Sequence, residues 1–199
     1  TGGWQATIYG NTGCGLTSML VTFALNSSGV ATNATTTGHS SGRGDSTSSG
    51  NTFTIQSLNS DGSGSANLTC GTGCGWNFDI QVSPDRSTFN LVDVATVNPN
   101  NFLGGVAVRS STTGDIVKAN LAGPWQVVFE GQTGCGTTSM LTTFTLNATG
   151  VTNNATTAGH SSGCGDSTTT GNTFTVQSLN ADGSGTANLT CGTGCGWSP

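Results

Sequence analysis

The chain has 199 residues, of which 7% are charged and 32 are glycine, with four Lys+Arg against nine Asp+Glu and a formal net charge of −5. Binding of nucleic acid and docking on anionic membranes both need positive charge to neutralise phosphates, so this balance argues against either partner. No apolar run approaches the length that spans a bilayer, so membrane insertion is not expected, and Thr1 already opens a strand-like segment, so no secretion signal is expected within these residues.

Alternation of apolar and polar residues predicts strands at about 4–10, 18–26, 30–38, 51–58, 64–70, 76–83, 88–94 and 102–109. Met19, Val21, Phe23 and Leu25 share one face of the second, and Trp76, Phe78, Ile80 and Val82 one face of the sixth. No segment carries a helical period. "NSDGSG" and "SPDRS" are turn sequences with Gly or Pro where unusual backbone angles are needed. Short connections make sequence neighbours antiparallel, which gives a meander. Eight strands so ordered can close on themselves and leave no exposed edge. The fold class expected is therefore all-β, an antiparallel up-and-down eight-stranded barrel, with a two-sheet β-sandwich as the alternative.

The chain then repeats itself. Residues 1–78 align with 122–199 without a gap, and 55 of the 78 positions are identical. "GNTFTIQSLNSDGSGSANLTCGTGCGW" returns as "GNTFTVQSLNADGSGTANLTCGTGCGW". The first copy continues through "NFDIQVSPDRSTFNLVDVATVNPNNFLGGVAVR", whereas the second has only "SP" after Trp197. The expected organisation is a complete repeat at 1–109, a linker at 110–121, and an incomplete second repeat at 122–199 with the first five strands.

Gly2-Gly3-Trp4 opens the first strand, Gly123-Pro124-Trp125 opens its copy, and Arg109 ends the eighth strand. In this the chain resembles lipocalins and related calycin barrels, which carry a short Gly-x-Trp signature and an Arg on the last strand. The other lipocalin motifs are not recognisable. The resemblance implies an up-and-down barrel with Arg109 packed over a Trp, and more weakly an interior that takes a small apolar molecule. The simpler role for the pair is structural: Trp4 plugs the barrel floor, with Arg109 as a cation over its face.

In a meander, alternate loops fall at the same end. One rim therefore collects Cys14, then His39, Arg43 and Asp45, then Cys70 and Cys74. The second copy collects Cys135, then His160, Cys164 and Asp166, then Cys191 and Cys195. Four Cys at a rim allow three pairings. The favoured ones join Cys135 to Cys164 and Cys191 to Cys195, with Cys70 joined to Cys74. Zinc held by the four, with His160, is the alternative. Seven Cys in a Ser/Thr/Gly-rich chain point to disulfides and an extracellular or cell-surface address, so no metal is expected. Sequons at Asn26, Asn33, Asn67, Asn147, Asn154 and Asn188 are candidate glycosylation sites.

"SSGRGDSTSSG" at 40–50 contains the Arg-Gly-Asp string of cell-adhesion ligands, but its repeat reads "SSGCGDSTTTG". Arg43 stands in a Cys slot, so the string is read as one substitution in a Ser/Gly loop. The same substitution leaves Cys14 unpaired or bonded to another molecule. His39 and His160 fall in Gly/Ser loops, and no Gly-x-Ser-x-Gly elbow accompanies them. The carboxylates, among them Asp61, Asp79, Asp85, Asp93 and Asp182, are expected mostly at turns or on outward faces. Neither an enzyme nor a cofactor is expected.

The unfinished repeat is the functional clue. It would expose sheet edges and an inner face with Met140, Phe144, Leu146, Phe174, Val176 and Leu189, and unpaired edges recruit strands. Residues 76–109 could close the first copy, or complete the second as a permuted barrel with Arg109 over Trp125, or neighbouring molecules could supply strands. The expected function is an extracellular structural protein whose tandem barrels join copies of itself end to end, into a filament or surface layer, by strand complementation. The competing expectation is a lipocalin-like module for a small apolar ligand, against which Phe23, Phe53, Trp76, Phe78 and Phe89 count by filling the interior. Ice or carbohydrate binding through Thr35-Thr36-Thr37 is weaker, because such rows lack a flat, regular repeat.

Overall fold

A computed structural model describes residues 1–71, 74–94, 102–110, 116–191 and 195–197, with Cys74 and 195–197 through their backbone alone. The chain divides into two compact units, Thr1–Thr112 and Thr113–Pro199. The first contains β1 (Gly2–Thr12), β2 (Gly15–Leu25), β3 (Val30–Ser40), β4 (Gly44–Leu58), β5 (Ser63–Cys70), β6 (Cys74–Val82), β7 (Thr88–Asp93) and β8 (Phe102–Arg109). Each strand pairs antiparallel with its sequence neighbours, and β8 pairs with β1, so the sheet is a closed eight-stranded meander barrel rather than a sandwich. This is the architecture that the calycin resemblance implied.

Closure depends on backbone contact at the β1/β8 seam, which runs from Trp4 opposite Arg109 to Asn11 opposite Phe102. A Cβ on Gly10, whose φ is +149°, would run into the Phe102 carbonyl, and one on Gly105 would run into the Thr7 carbonyl. Inside, Ile8, Phe53, Leu68, Phe78, Leu91 and Leu103 are fully buried. Phe23 stacks on Phe53 at 4.3 Å, and Phe89 sits 6.1 Å from Phe53 and 4.9 Å from Trp4. Aromatic rings thus pack across the barrel interior.

Three sequence expectations need correction. First, 44–50 is the exposed first half of β4, hydrogen-bonded to β3 from Thr36 opposite Ser48 to Ser40 opposite Gly44. His39 therefore lies on a strand and not in a loop, and so does its copy His160. Register shifts around Ala34 let the two strands stay paired, and the buried Asn51 holds that irregularity together. Its Nδ2 donates to Thr36 Oγ1 at 3.1 Å and Ser48 Oγ at 2.9 Å, and Asn172 does the same to Thr157 and Thr169.

Second, Asp93 faces inward. It stands opposite Phe78 and alternates with the buried Phe89 and Leu91. Its carboxylate oxygens are buried and make no side-chain hydrogen bond among the described residues. Desolvation pushes its pKa up, opposed only in part by the Leu103 backbone. A carboxyl whose native pKa is raised binds more protons folded than unfolded, so stability falls as pH rises from the ordinary value of 3.8 through the raised one. Asp93→Asn is accordingly expected to raise the melting temperature at pH 7, with the gain shrinking as the pH approaches 4. Thermal melts across that range check this, and an unchanged melting temperature at pH 7 refutes it.

Third, strands 76–109 stay with the first unit, so the permuted barrel does not form. The second unit begins with a 3-10 turn at Lys118–Leu121 and continues with β9 (Gly123–Thr133), β10 (Gly136–Leu146), β11 (Val151–Ser161), β12 (Gly165–Leu179), β13 (Gly185–Cys191) and β14 (Cys195–Trp197). These form one open sheet in the order β14-β13-β12-β11-β10-β9. It curls over its own core of Phe144, Leu146, Ala155, Phe174, Val176 and Leu189, while Met140 is only half-buried. Residues 116–121, expected as linker, pack with this unit. The Lys118 ammonium donates to the carbonyls of Val176 at 2.5 Å and Gln177 at 3.1 Å, and Leu121 covers part of the core. Among the described residues, no helix is long and apolar enough to cross a membrane.

Candidate assembly edge

β9 has the sequence GPWQVVFEGQT and pairs with β10 along its whole length, from Gly123 opposite Leu146 to Thr133 opposite Gly136. No strand among the described residues pairs with its other side. Its counterpart β1 has that side covered by β8, and the two copies differ accordingly. Trp4 is 7% exposed, whereas Trp125 is 41% exposed. Ala6, Thr7 and Ile8 are replaced by the bulkier Val127, Val128 and Phe129. Val128 is 65% exposed.

Backbone alternation identifies the groups left unpaired among the described residues. A strand residue directs its N–H and C=O to one side, and the next residue directs them to the other. In the first unit Ser110 N–H donates to Gly3 O at 2.9 Å, so Gly3, Gln5, Thr7, Tyr9 and Asn11 bond toward β8. The matching residues of β9 are Pro124, Gln126, Val128, Glu130 and Gln132, and their backbone groups therefore face the open side. Pro124 has no N–H to leave unsatisfied, which suits it to an edge. A hollow of about 700 Å³ opens beside the same strand, lined in part by Pro124, Trp125, Phe144, Thr152 and Asn154.

The Gly-x-Trp positions have also diverged. Trp4 stands opposite Arg109, whose guanidinium donates to Thr1 O at 3.2 Å, and the Trp4 indole N–H has no partner among the described residues. The Trp125 indole N–H instead donates to Leu121 O at 2.7 Å.

At the rim, a disulfide joins Cys135 and Cys164 with a Cα–Cα distance of 5.4 Å. Cys14 is a free, half-buried thiol whose backbone carbonyl accepts from Gly42 N–H, next to Arg43. Cys70 and Cys191 are disulfide-bonded, and their backbones lie opposite Cys74 and Cys195, whose side chains are outside the described residues. No group of three or more metal-ligating side chains converges among the described residues.

The His and Asp residues expected at this rim pair there. His39 Nδ1 and Asp45 Oδ1 are 2.7 Å apart, and His160 and Asp166 repeat the contact at the same distance. Ser18 and Ser139 stand across from these histidines on the neighbouring strands, which sets up a Ser-His-Asp row on each outer face. Both pairs are open to water, with the Asp side chains 93% exposed. Solvent screening makes such a contact a weak clasp between two strands. Since Asp166 makes it where no Arg-Gly-Asp string exists, the bond belongs to the hairpin and not to the tripeptide.

Of the sequon residues, Asn26, Asn33, Asn147 and Asn154 are exposed, while Asn67 and Asn188 are half-buried. The Asn67 amide already donates to Trp76 O at 3.2 Å and Asn77 Oδ1 at 2.8 Å.

The chain matches no protein-family model, no curated protein and no solved structure.

Proposed function

We propose that this chain is an extracellular structural protein that assembles with copies of itself through the open sheet of its second unit. The observation that carries the reading is the unpaired side of β9, where backbone donors and acceptors lie beside an exposed Val128. Unsatisfied strand edges of this kind are filled by strand addition, which supplies main-chain hydrogen bonds and covers apolar surface together. The Cys135–Cys164 bond supports an oxidising compartment. Serine, threonine and asparagine on the outward faces leave a neutral, hydrated surface. A head-to-tail joint would extend into a filament or surface layer, whereas a symmetric one would stop at two chains. The filled interior of the first barrel speaks against the small-molecule cup, and the solvent-exposed Ser-His-Asp rows do not resemble a sheltered catalytic site. Sedimentation and electron microscopy of the full chain test the proposal: associated species are expected at micromolar concentration, and a stable monodisperse monomer would refute it.

A further inference from the structure

The occupant of the open edge is written in β9 itself. We propose that β9 pairs antiparallel with β9 of a second copy, about a two-fold axis through Val128, so that the second units form a symmetric dimer. This rests on the assembly reading above and adds the partner strand and its register.

The register follows from length, chemistry and space. β9 runs from Gly123 to Thr133, so a two-fold at Val128 is the one that overlaps the whole strand. It pairs residues whose backbone groups face the edge: Val128 with the partner's Val128, and Gln126 with the partner's Glu130. The exposed valines then cover each other on the outer face. The Gln126 amide donates to the opposite carboxylate, and the only charged side chain of β9 meets a neutral partner. Centring the axis on Glu130 instead would set two carboxylates against each other, which destabilises a strand pair.

On the inner face the same register sets Val127 against the partner's Phe129 and Trp125 against the partner's Gly131. A Cβ on Gly131 would meet nothing within 4 Å, so the indole has room to lie over it. Pro124 falls at the end of the ladder, opposite the partner's Gln132, where only its carbonyl is needed. The first unit shows that this edge geometry accepts a strand, because β1 takes β8 in an antiparallel ladder from Trp4 to Asn11. Pairing through the second units leaves that closed barrel intact, whereas borrowing β8 from a neighbour would open one edge to cover another. The contact is isologous and closes at two chains.

The test uses the full chain in a Cys14→Ser background, which removes the free thiol. Directly opposed, hydrogen-bonded residues have Cα atoms about 5.5 Å apart, within reach of a short thiol-to-thiol crosslinker. Val128→Cys is expected to give a covalent dimer. Gln126→Cys and Glu130→Cys are expected to crosslink to each other when the two proteins are mixed, and neither to itself. Val128→Lys, at an exposed position that leaves the fold intact by circular dichroism, is expected to raise the dimer dissociation constant about a hundredfold by placing like charges on the axis. Association with other crosslinking partners, or into species larger than two chains, would overturn this register and leave the assembly reading standing. A monomer at micromolar concentration would overturn both.

Discussion

Phe53→Ala is expected to lower the stability of the first unit by about 4 kcal/mol, within the range for deleting a buried ring, which for a unit of this size is roughly 15 °C in melting temperature. Phe53 is fully buried, stacks on Phe23 at 4.3 Å and has Phe89 6.1 Å away. The surrounding wall is hydrogen-bonded all the way round, so the strands cannot move in to fill the space. Phe174 is the same residue in the second copy, stacked on Phe144 at 4.5 Å, but it is 9% exposed and has no counterpart of Phe89 beside it. Its site can collapse or admit water. Phe174→Ala is therefore expected to remove about half as much from its own unit. Hydrogen exchange under increasing denaturant, read separately over the two units, gives both values. Equal losses would contradict the contrast between a closed wall and an open one.

The second large effect concerns the rim. Replacing Cys135 and Cys164 together by Ser is expected to destabilise the second unit by about 3.5 kcal/mol, the chain-entropy value for the loop that the bond closes, given a sequence separation of 29. The converse substitution tests the same geometry in the first unit. Gly42 N–H donates to Cys14 O at 3.0 Å, as Gly163 N–H donates to Cys135 O at 2.7 Å. Ser41 Oγ accepts from Leu16 N–H at 3.0 Å, as Ser162 Oγ accepts from Thr137 N–H at 3.1 Å. With the two hairpins superimposable in their bonding, Arg43→Cys is expected to bond to Cys14 and to stabilise the first unit by a similar amount. The readouts are loss of the reactive thiol and a gain in melting temperature that a reductant reverses. A thiol that still titrates under oxidising conditions would show that the hairpins differ.

Much of this architecture was legible because barrel strands bury one face. The alternation in Met19-Val21-Phe23-Leu25 and in Trp76-Phe78-Ile80-Val82 marks strands that do line the core, with Leu25, Trp76 and Val82 half-buried against it. The first half of β4 was illegible for the opposite reason. Its sequence GDSTSSG is exposed on both faces and carries no hydrophobic period, and pairing with β3 alone makes it a strand. Nothing local marks Asn51, the first residue of the strand expected at 51–58, or its copy Asn172 as buried, because a surface amide and one that bridges an irregular ladder look alike in sequence. Asp93 shares the face of the buried Phe89 and Leu91, yet a carboxylate there reads as outward because burying a charge is costly.

Composition, the period-two pattern and the repeat by themselves determined an all-β chain with one complete meander and one partial copy, because these depend on which residues are apolar and in what order. Only the tertiary structure decided which copy β6–β8 would close, and hence which edge stays open. At the β1/β8 seam Gly10 and Gly105 let backbones far apart in sequence approach, but Gly131 offers the same opening in β9, so no local pattern records which copy closes.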